Sequence, residues 1–289
     1  MKIDLHAHST ASDGSFSPSE LIHHAASLQI ELMALTDHDT LDGLEEFHEA
    51  GKMMGIETLS GIELSVDYDG GSLHLLGYGF DISNVDLNRV LVELRESRVE
   101  RNEKIINKLR EFGYTITSEG VAKRAGNGVA GRPHIAAELV ATGEIESVSV
   151  AFSELLGSES SAYFDRKRLT LEDACNLIHQ AGGPAVWAHP GLHGSKLPDL
   201  LLRVGEWKMK GMDGLESDYS SHSFELRDLL RAIAGENKLI ATGGSDFHGS
   251  YRPNVKLGQG PEGHPIHDEC YYQLFGRINE IRTKLLTGR

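Results

Sequence analysis

Cysteine is nearly absent from this chain. Among its 289 residues only Cys175 and Cys270 carry a thiol, and no Cys-x-x-Cys pair occurs. A disulfide framework is not implied, and neither thiol looks like a metal ligand; two reduced, semi-buried cysteines are expected. Basic charge is also scarce. Twenty-eight Lys and Arg stand against 43 Asp and Glu, a formal net charge of −15. A nucleic-acid-coating protein presents the opposite sign, so no stable nucleic-acid complex is expected, while a nucleotide or RNA substrate stays open. No run approaches the roughly 18 apolar residues of a membrane span. Met1-Lys2-Ile3-Asp4 opens without an apolar leader, so the expectation is a soluble, cytoplasmic protein with no membrane partner. No internal repeat or low-complexity tract is evident.

Imidazoles and carboxylates are plentiful, and they recur where strands end. His6 and His8 follow the first apolar run, and Asp37-His38-Asp39 follows the second, Leu32 to Thr36. Glu63 and His74 lie in the third and fourth, His189 closes Ala185-Val186-Trp187-Ala188, and Asp246 and His248 follow Leu239 to Thr242. Residues i and i+2 of a strand point the same way, so His6 and His8 can reach one ion together, as can Asp246 and His248. Neutral imidazole and carboxylate suit Zn, Mn and Fe. A lone His-x-His pair is more often coincidence, and one buried strand-end histidine is more often structural. Recurrence at the ends of successive strands favours one multinuclear metal site.

Strand and helix patterns alternate along most of the chain. Ser17-Pro18-Ser19-Glu20 reads as a capping box opening a helix, and a second helix from about Leu41 ends at Gly55. Strands over Glu57–Ser65 and Ser72–Phe80 flank Asp69-Gly70-Gly71, a hairpin signal. Asn84 to Phe112 is one long charged helical stretch, followed by pieces near Pro133–Thr142 and Val148–Leu156. Its charged face reads as a solvated surface. Alternation resumes at Thr170, with strands near 184–188, 213–216 and 239–242. The spacing predicts an α/β barrel of about seven strands: residues 1–82 and 166–289 form the barrel domain, and 83–165 form a helical insertion subdomain. In such barrels chemistry sits at the C-terminal ends of strands, where the candidate ligands fall.

With Asp4-Leu5-His6-Ala7-His8-Ser9, Ser12-Asp13-Gly14, Thr36-Asp37-His38-Asp39, Gly61-Ile62-Glu63, His74-Leu75-Leu76-Gly77, Ala188-His189-Pro190 and Gly243-Gly244-Ser245-Asp246-Phe247-His248 in place, the chain resembles the PHP (polymerase and histidinol phosphatase) superfamily of metal-dependent phosphoesterases. Length, insertion and Gly131-Arg132-Pro133-His134 resemble the branch holding the exoribonuclease RNase AM and the 3′,5′-nucleoside bisphosphate phosphatases. The resemblance implies a distorted (β/α)7 barrel with up to three divalent ions, often Mn²⁺, with Fe²⁺, Zn²⁺ or Mg²⁺ as alternatives. It assigns His6, His8, Glu63 and Asp246 to the first ion. Glu63 would bridge to a second held by His74 and His189, and Asp13, His38 and His248 would hold a third. Glu63, Asp246 and His189 are the expected catalytic residues, and Arg132 and His134 are similar to family residues that grip a substrate phosphate.

The implied activity is hydrolysis of nucleotide 3′-phosphate bonds, in 3′,5′-bisphosphonucleotides such as pAp, in 5′-phosphorylated RNA cut 5′ to 3′, or in both. A water between two divalent ions becomes a nucleophile near neutral pH while the ions neutralise the phosphoryl oxygens, and an arginine fork adds bidentate phosphate recognition. His193 or His222 could protonate the leaving oxygen, although each reads more simply as a surface histidine. Asp39 reads as an orienter of a ligand, and Tyr251 and Arg252 as candidates for the cleft. His23, His24, His48 and His179 read as solvated or packing residues on helices. Three alternatives compete. A histidinol-phosphate-type phosphatase leaves the arginine without purpose. An amidohydrolase site commonly adds a bridging lysine on the fourth strand, where this chain has His74. A non-catalytic metal or nucleotide-binding regulator would have lost ligands, and none is missing.

Overall fold

The computed structural model describes residues 1–68, 71–126, 128–157 and 160–288. The first half alternates β1 (Ile3–Asp4), α1 (Pro18–Ser27), β2 (Leu32–Leu35), α2 (Leu44–Met54) and β3 (Glu57–Tyr68), and β4 (Gly71–Tyr78) folds back on β3. Four helices follow: α3 (Val85–Glu111), α4 (Ser118–Ala125), α5 (Arg132–Ala141) and α6 (Val148–Ala151), the last running into a π-helical turn, Phe152–Leu156. Short β5 (Leu169–Thr170) and α7 (Leu171–Gln180) lead to β6 (Ala185–Trp187), α8 (Leu197–Leu202), α9 (Val204–Met209), β7 (Gly214–Tyr219), α10 (Phe224–Glu236), β8 (Ile240–Gly244) and α11 (Glu269–Thr287).

The sheet runs β1-β2-β3-β4-β6-β7-β8, with β5 paired to β3 outside this path. All neighbours are parallel except at β4, which is antiparallel to both β3 and β6. That reversal is the distortion of the barrel. Across the seam the Leu5 N–H reaches the Gly243 carbonyl at 3.3 Å, the Asp246 N–H reaches the His6 carbonyl at 2.8 Å, and Ala7 bridges to Phe247. The strands thus form a nearly closed, distorted (β/α)7-type barrel. Gly244 permits this closure, because a Cβ there would lie 2.2 Å from the His6 Cβ.

Local chemistry explains the elements. Ser17 accepts from the Glu20 N–H while the Glu20 carboxylate accepts from the Ser17 N–H, with Pro18 in the first turn. Leu32-Met33-Ala34-Leu35 is buried throughout, as suits a parallel strand covered on both faces. Gly55, at φ 70°, ends α2. One apolar cluster packs the strands against the surrounding helices through residues such as Leu21, Phe47, Trp187 and Trp207. A second joins Ile3, Leu5, Leu76, Tyr78 and Val186 to Leu274 and Ile278 of α11. A third lies wholly between Ile105 and Ala162, including Leu109, Ile135, Leu139 and Leu156.

Several expectations need correction. α2 begins at Leu44, because Leu41 to Gly43 form the turn before it. β3 continues to Tyr68 and β4 begins at Gly71; Asp69 and Gly70 of the expected hairpin turn lie outside the described residues. Between β6 and β7 the helical stretch is interrupted at Arg203, which separates α8 from α9. α4 and β5 were not foreseen. Both cysteines are fully buried rather than semi-buried.

Candidate metal centre and arginine-lined cavity

Two buried carboxylates outside the ligand set hold the strand-end loops. Asp4 accepts from the Ser245 hydroxyl at 2.5 Å, from the backbone N–H of Ser245 and His6, and from the Gly258 N–H. Asp37 accepts from the Ser9 N–H and hydroxyl and from the Ser12 hydroxyl at 2.5 Å. Asp4 thus ties the segment carrying His6 to the loop carrying Asp246 and His248, and Asp37 ties the turn before Asp13 to the loop carrying His38.

Glu63, on β3, lies at the centre. Its Oε1 is 2.8 Å from His74 Nδ1 and 2.9 Å from His189 Nε2. Its Oε2 is 3.1 Å from His8 Nε2 and 3.3 Å from both His6 Nε2 and His38 Nδ1. Asp246 Oδ1 lies 3.2 Å from His8 Nε2 and 3.3 Å from His248 Nδ1. Asp13 stands 3.4 Å from His248 Nε2 and 3.8 Å from His38 Nε2. Burial works against the Glu63 carboxylate, yet His38, His74 and His6 hold its pKa well below the usual range. Burial pushes His38 down to about 3, against the pull of Glu63 and Asp13.

The donors converge in three groups, each with ligand atoms within 4.8 Å of one another: His6, His8, Glu63 and Asp246; His38, Glu63 and His74; and His8, Asp13, His38 and His248. All nine residues expected as ligands are brought together, His189 through its contact with Glu63. His8 Nδ1 and Nε2, His38 Nδ1 and His189 Nδ1 are buried without hydrogen-bond partners. Buried polar atoms are normally paired. Imidazole nitrogens and carboxylate oxygens converging in this way fit divalent ions.

A cavity of about 680 Å³ opens beside this cluster, with Asp13, His38, His74 and His248 in its wall. Arg98, Arg101, Arg132, Arg166, Arg168 and Arg252 line it too. Arg98 and Arg101 lie on α3, whose charged face is therefore not simply a solvated surface: both are buried. Asp39 does not orient a ligand ring as expected; its carboxylate pairs with Arg98 and Arg166. Arg168 pairs with Asp67 and Asp165, and Arg252 with Asp246. Arg101 and Arg132 make no ion pair among the described residues. Arg132 donates to the Leu156 carbonyl at 2.9 Å and stands 5.5 Å from the Tyr163 ring centre. Burial, then Arg98, Arg132 and Arg166, push Arg101 down to about 9. This is a concentration of positive charge that an anion would relieve.

His134 is buried, accepts from the Gly131 N–H at 3.0 Å through Nδ1, and is not among the cavity-lining residues. His222 is no surface histidine. It is buried, its Nδ1 donates to the Ser217 carbonyl and its Nε2 accepts from the Gly191 N–H. Both ring nitrogens are therefore committed. His193 is half-buried, and burial with neighbouring His189 and His74 pushes it down to about 4. His48 bonds Thr58 and Ser60, and His179 bonds Asp213. Glu216, near the start of β7, escaped the sequence reading. It is fully buried and accepts from His6 Nδ1 and the His189 N–H. Its place on a strand leading into the shared barrel end was the signal available.

A barrel of this kind, gathering six imidazoles and three carboxylates at one end, is the framework of a metal-dependent hydrolase. The chain belongs to the PHP domain family, whose profile matches residues 4–182. It is 35% identical over 250 residues to a 5′-3′ exoribonuclease of Haemophilus influenzae, covering 86% of this chain and 90% of that one. It is 33% identical over 277 residues to the 3′,5′-nucleoside bisphosphate phosphatase of Chromobacterium violaceum, covering 96% and 97% of the two. A structure from Bifidobacterium adolescentis, described as a candidate metal-dependent phosphoesterase, superposes with TM-score 0.84 and 29% identity over 95% of this chain and 96% of that one. Among the described residues no helix is long and apolar enough to cross a membrane.

Proposed function

We propose that this phosphoesterase hydrolyses the 3′-phosphate bond of nucleotides that also carry a 5′-phosphate: 3′,5′-bisphosphonucleotides, and RNA trimmed from a 5′-phosphorylated end. One observation carries the reading. The carboxylate–imidazole cluster and the arginine wall share a single cavity, which suits a substrate with two phosphate groups, one reacting and one held. The names of the two relatives support it.

In this reading His6, His8, Glu63 and Asp246, then Glu63, His74 and His189, then Asp13, His38 and His248 would hold divalent ions, with Mn²⁺ as the working metal. Bound ions would supply positive charge to the phosphoryl oxygens and lower the pKa of water. Glu63, Asp246 and His189 would border the reacting phosphoryl group. Arg132 and Arg101, unpaired in an ion-pair sense, would hold the second phosphate by charge-assisted bonds. The insertion, 83–165, would thus be the unit that reads the substrate, with His134 fixing the start of α5 beside Arg132. His222 is unavailable as a proton donor. We place the activity in the cytoplasm, in keeping with two free thiols.

The test is a panel at matched Mn²⁺ loading: pAp, 5′-phosphorylated RNA of several lengths, the same RNA with a 5′-hydroxyl, and histidinol phosphate. Turnover of pAp or 5′-phosphorylated RNA should exceed that of the 5′-hydroxyl RNA at least about tenfold, the effect of one charge-assisted contact. Preference for histidinol phosphate, or indifference to the 5′-phosphate, would contradict the proposal.

A further inference from the structure

A neutral imidazole offers one N–H and one lone pair, and the group bonded to one nitrogen decides what the other presents. Glu216 is fully buried, and its Oε1 lies 2.9 Å from His6 Nδ1. An ionised carboxylate only accepts, so this contact places a proton on Nδ1. The opposite nitrogen, Nε2, faces Glu63 Oε2 at 3.3 Å and Asp246 Oδ1 at 3.5 Å. The second Glu216 oxygen accepts from the His189 backbone N–H at 2.7 Å. His189 is in left-handed backbone geometry, φ 33° and ψ 59°, unfavourable for a residue with a side chain. Its Nε2 nonetheless arrives 2.9 Å from Glu63.

We propose that Glu216 is a positioning residue for the metal centre: one carboxylate sets the tautomer and orientation of His6 and pins the backbone of His189. The inference rests on the reading of the cluster as a metal centre. Both oxygens are needed as acceptors. Glutamine in this place has the same shape but one acceptor, so either His6 Nδ1–H or the His189 N–H loses its partner. A glutamine NH₂ turned to His6 Nδ1 would also move the ring proton to Nε2, the nitrogen required for the ion.

The experiment compares Mn²⁺ affinity of the wild-type protein and Glu216→Gln by competition with a chelator. The variant should bind about 10- to 100-fold more weakly, the usual effect of losing a group that orients a ligand. Unchanged affinity and stoichiometry would overturn the proposal. A measurement on the wild type covers the case in which the variant does not fold. In the Zn²⁺-loaded protein, nitrogen-15 NMR should show the His6 proton on Nδ1, and a proton on Nε2 would overturn the assignment. Neither readout uses turnover, so an error in substrate class leaves both intact. A wild-type protein that takes up no divalent ion would overturn the metal-centre reading, and Glu216's role with it.

Discussion

At the scale of single residues, Glu63 has the most to lose. It contacts five imidazoles and belongs to two of the three donor groups. Glu63→Gln keeps the shape and removes the charge. Activity at saturating Mn²⁺ should fall at least about a hundredfold, roughly 2.7 kcal/mol of transition-state stabilisation; near-normal kcat/KM would contradict its central position. Asp213, just before β7, accepts from His179 at 2.6 Å, the Ala185 N–H and Arg277. Asp213→Asn should therefore lower stability by about 1–3 kcal/mol in denaturant titration. Arg132→Ala should raise KM about ten- to a hundredfold for 5′-phosphorylated substrates and leave slow hydrolysis of an aryl phosphate in place. Equal losses on both substrates would assign Arg132 to the fold or to the reacting phosphoryl group. Eight of the nine candidate ligands were legible as imidazoles and carboxylates on or after strands, whereas Asp13, and the choice of these residues over Asp37 and Asp39, came only from the family resemblance. Glu216 was not legible, because its role depends on which atoms meet across two strands.

At the scale of elements, the barrel was legible from alternation and capping, whereas the inner face of α3 was not. Its arginines have the composition of a solvated face, and only packing against Asp39 and the cavity reveals otherwise. Asp39 is fully buried and joins Arg98 of α3 to Arg166, just before β5. Asp39→Ala leaves two buried guanidinium groups without that partner. Stability should drop by about 3–5 kcal/mol, read as a lower denaturation midpoint; an unchanged midpoint would mean that the ion pairs are dispensable. The antiparallel β4 has a similar lesson. A hairpin signal predicted its pairing with β3, but its second antiparallel neighbour, β6, is set by chain topology that local pattern does not encode.

At the scale of the whole molecule, a formal charge of −15 surrounds a cavity lined by six arginines. Net charge alone argues against a nucleic-acid-coating surface but does not reveal this local concentration of arginines, because they come from separate segments of the chain. The carboxylates and imidazoles meeting at the barrel end join β1, β2, β3, β4, β6 and β8 through one cluster, so ions bound there would link these strands and raise stability by mass action. The most direct measurement is a Mn²⁺ titration of metal-free protein, following bound metal and phosphate release from pAp together. The account predicts no release without metal and recovery only as more than one equivalent binds. A metal-free protein that hydrolyses pAp at the full rate would contradict it.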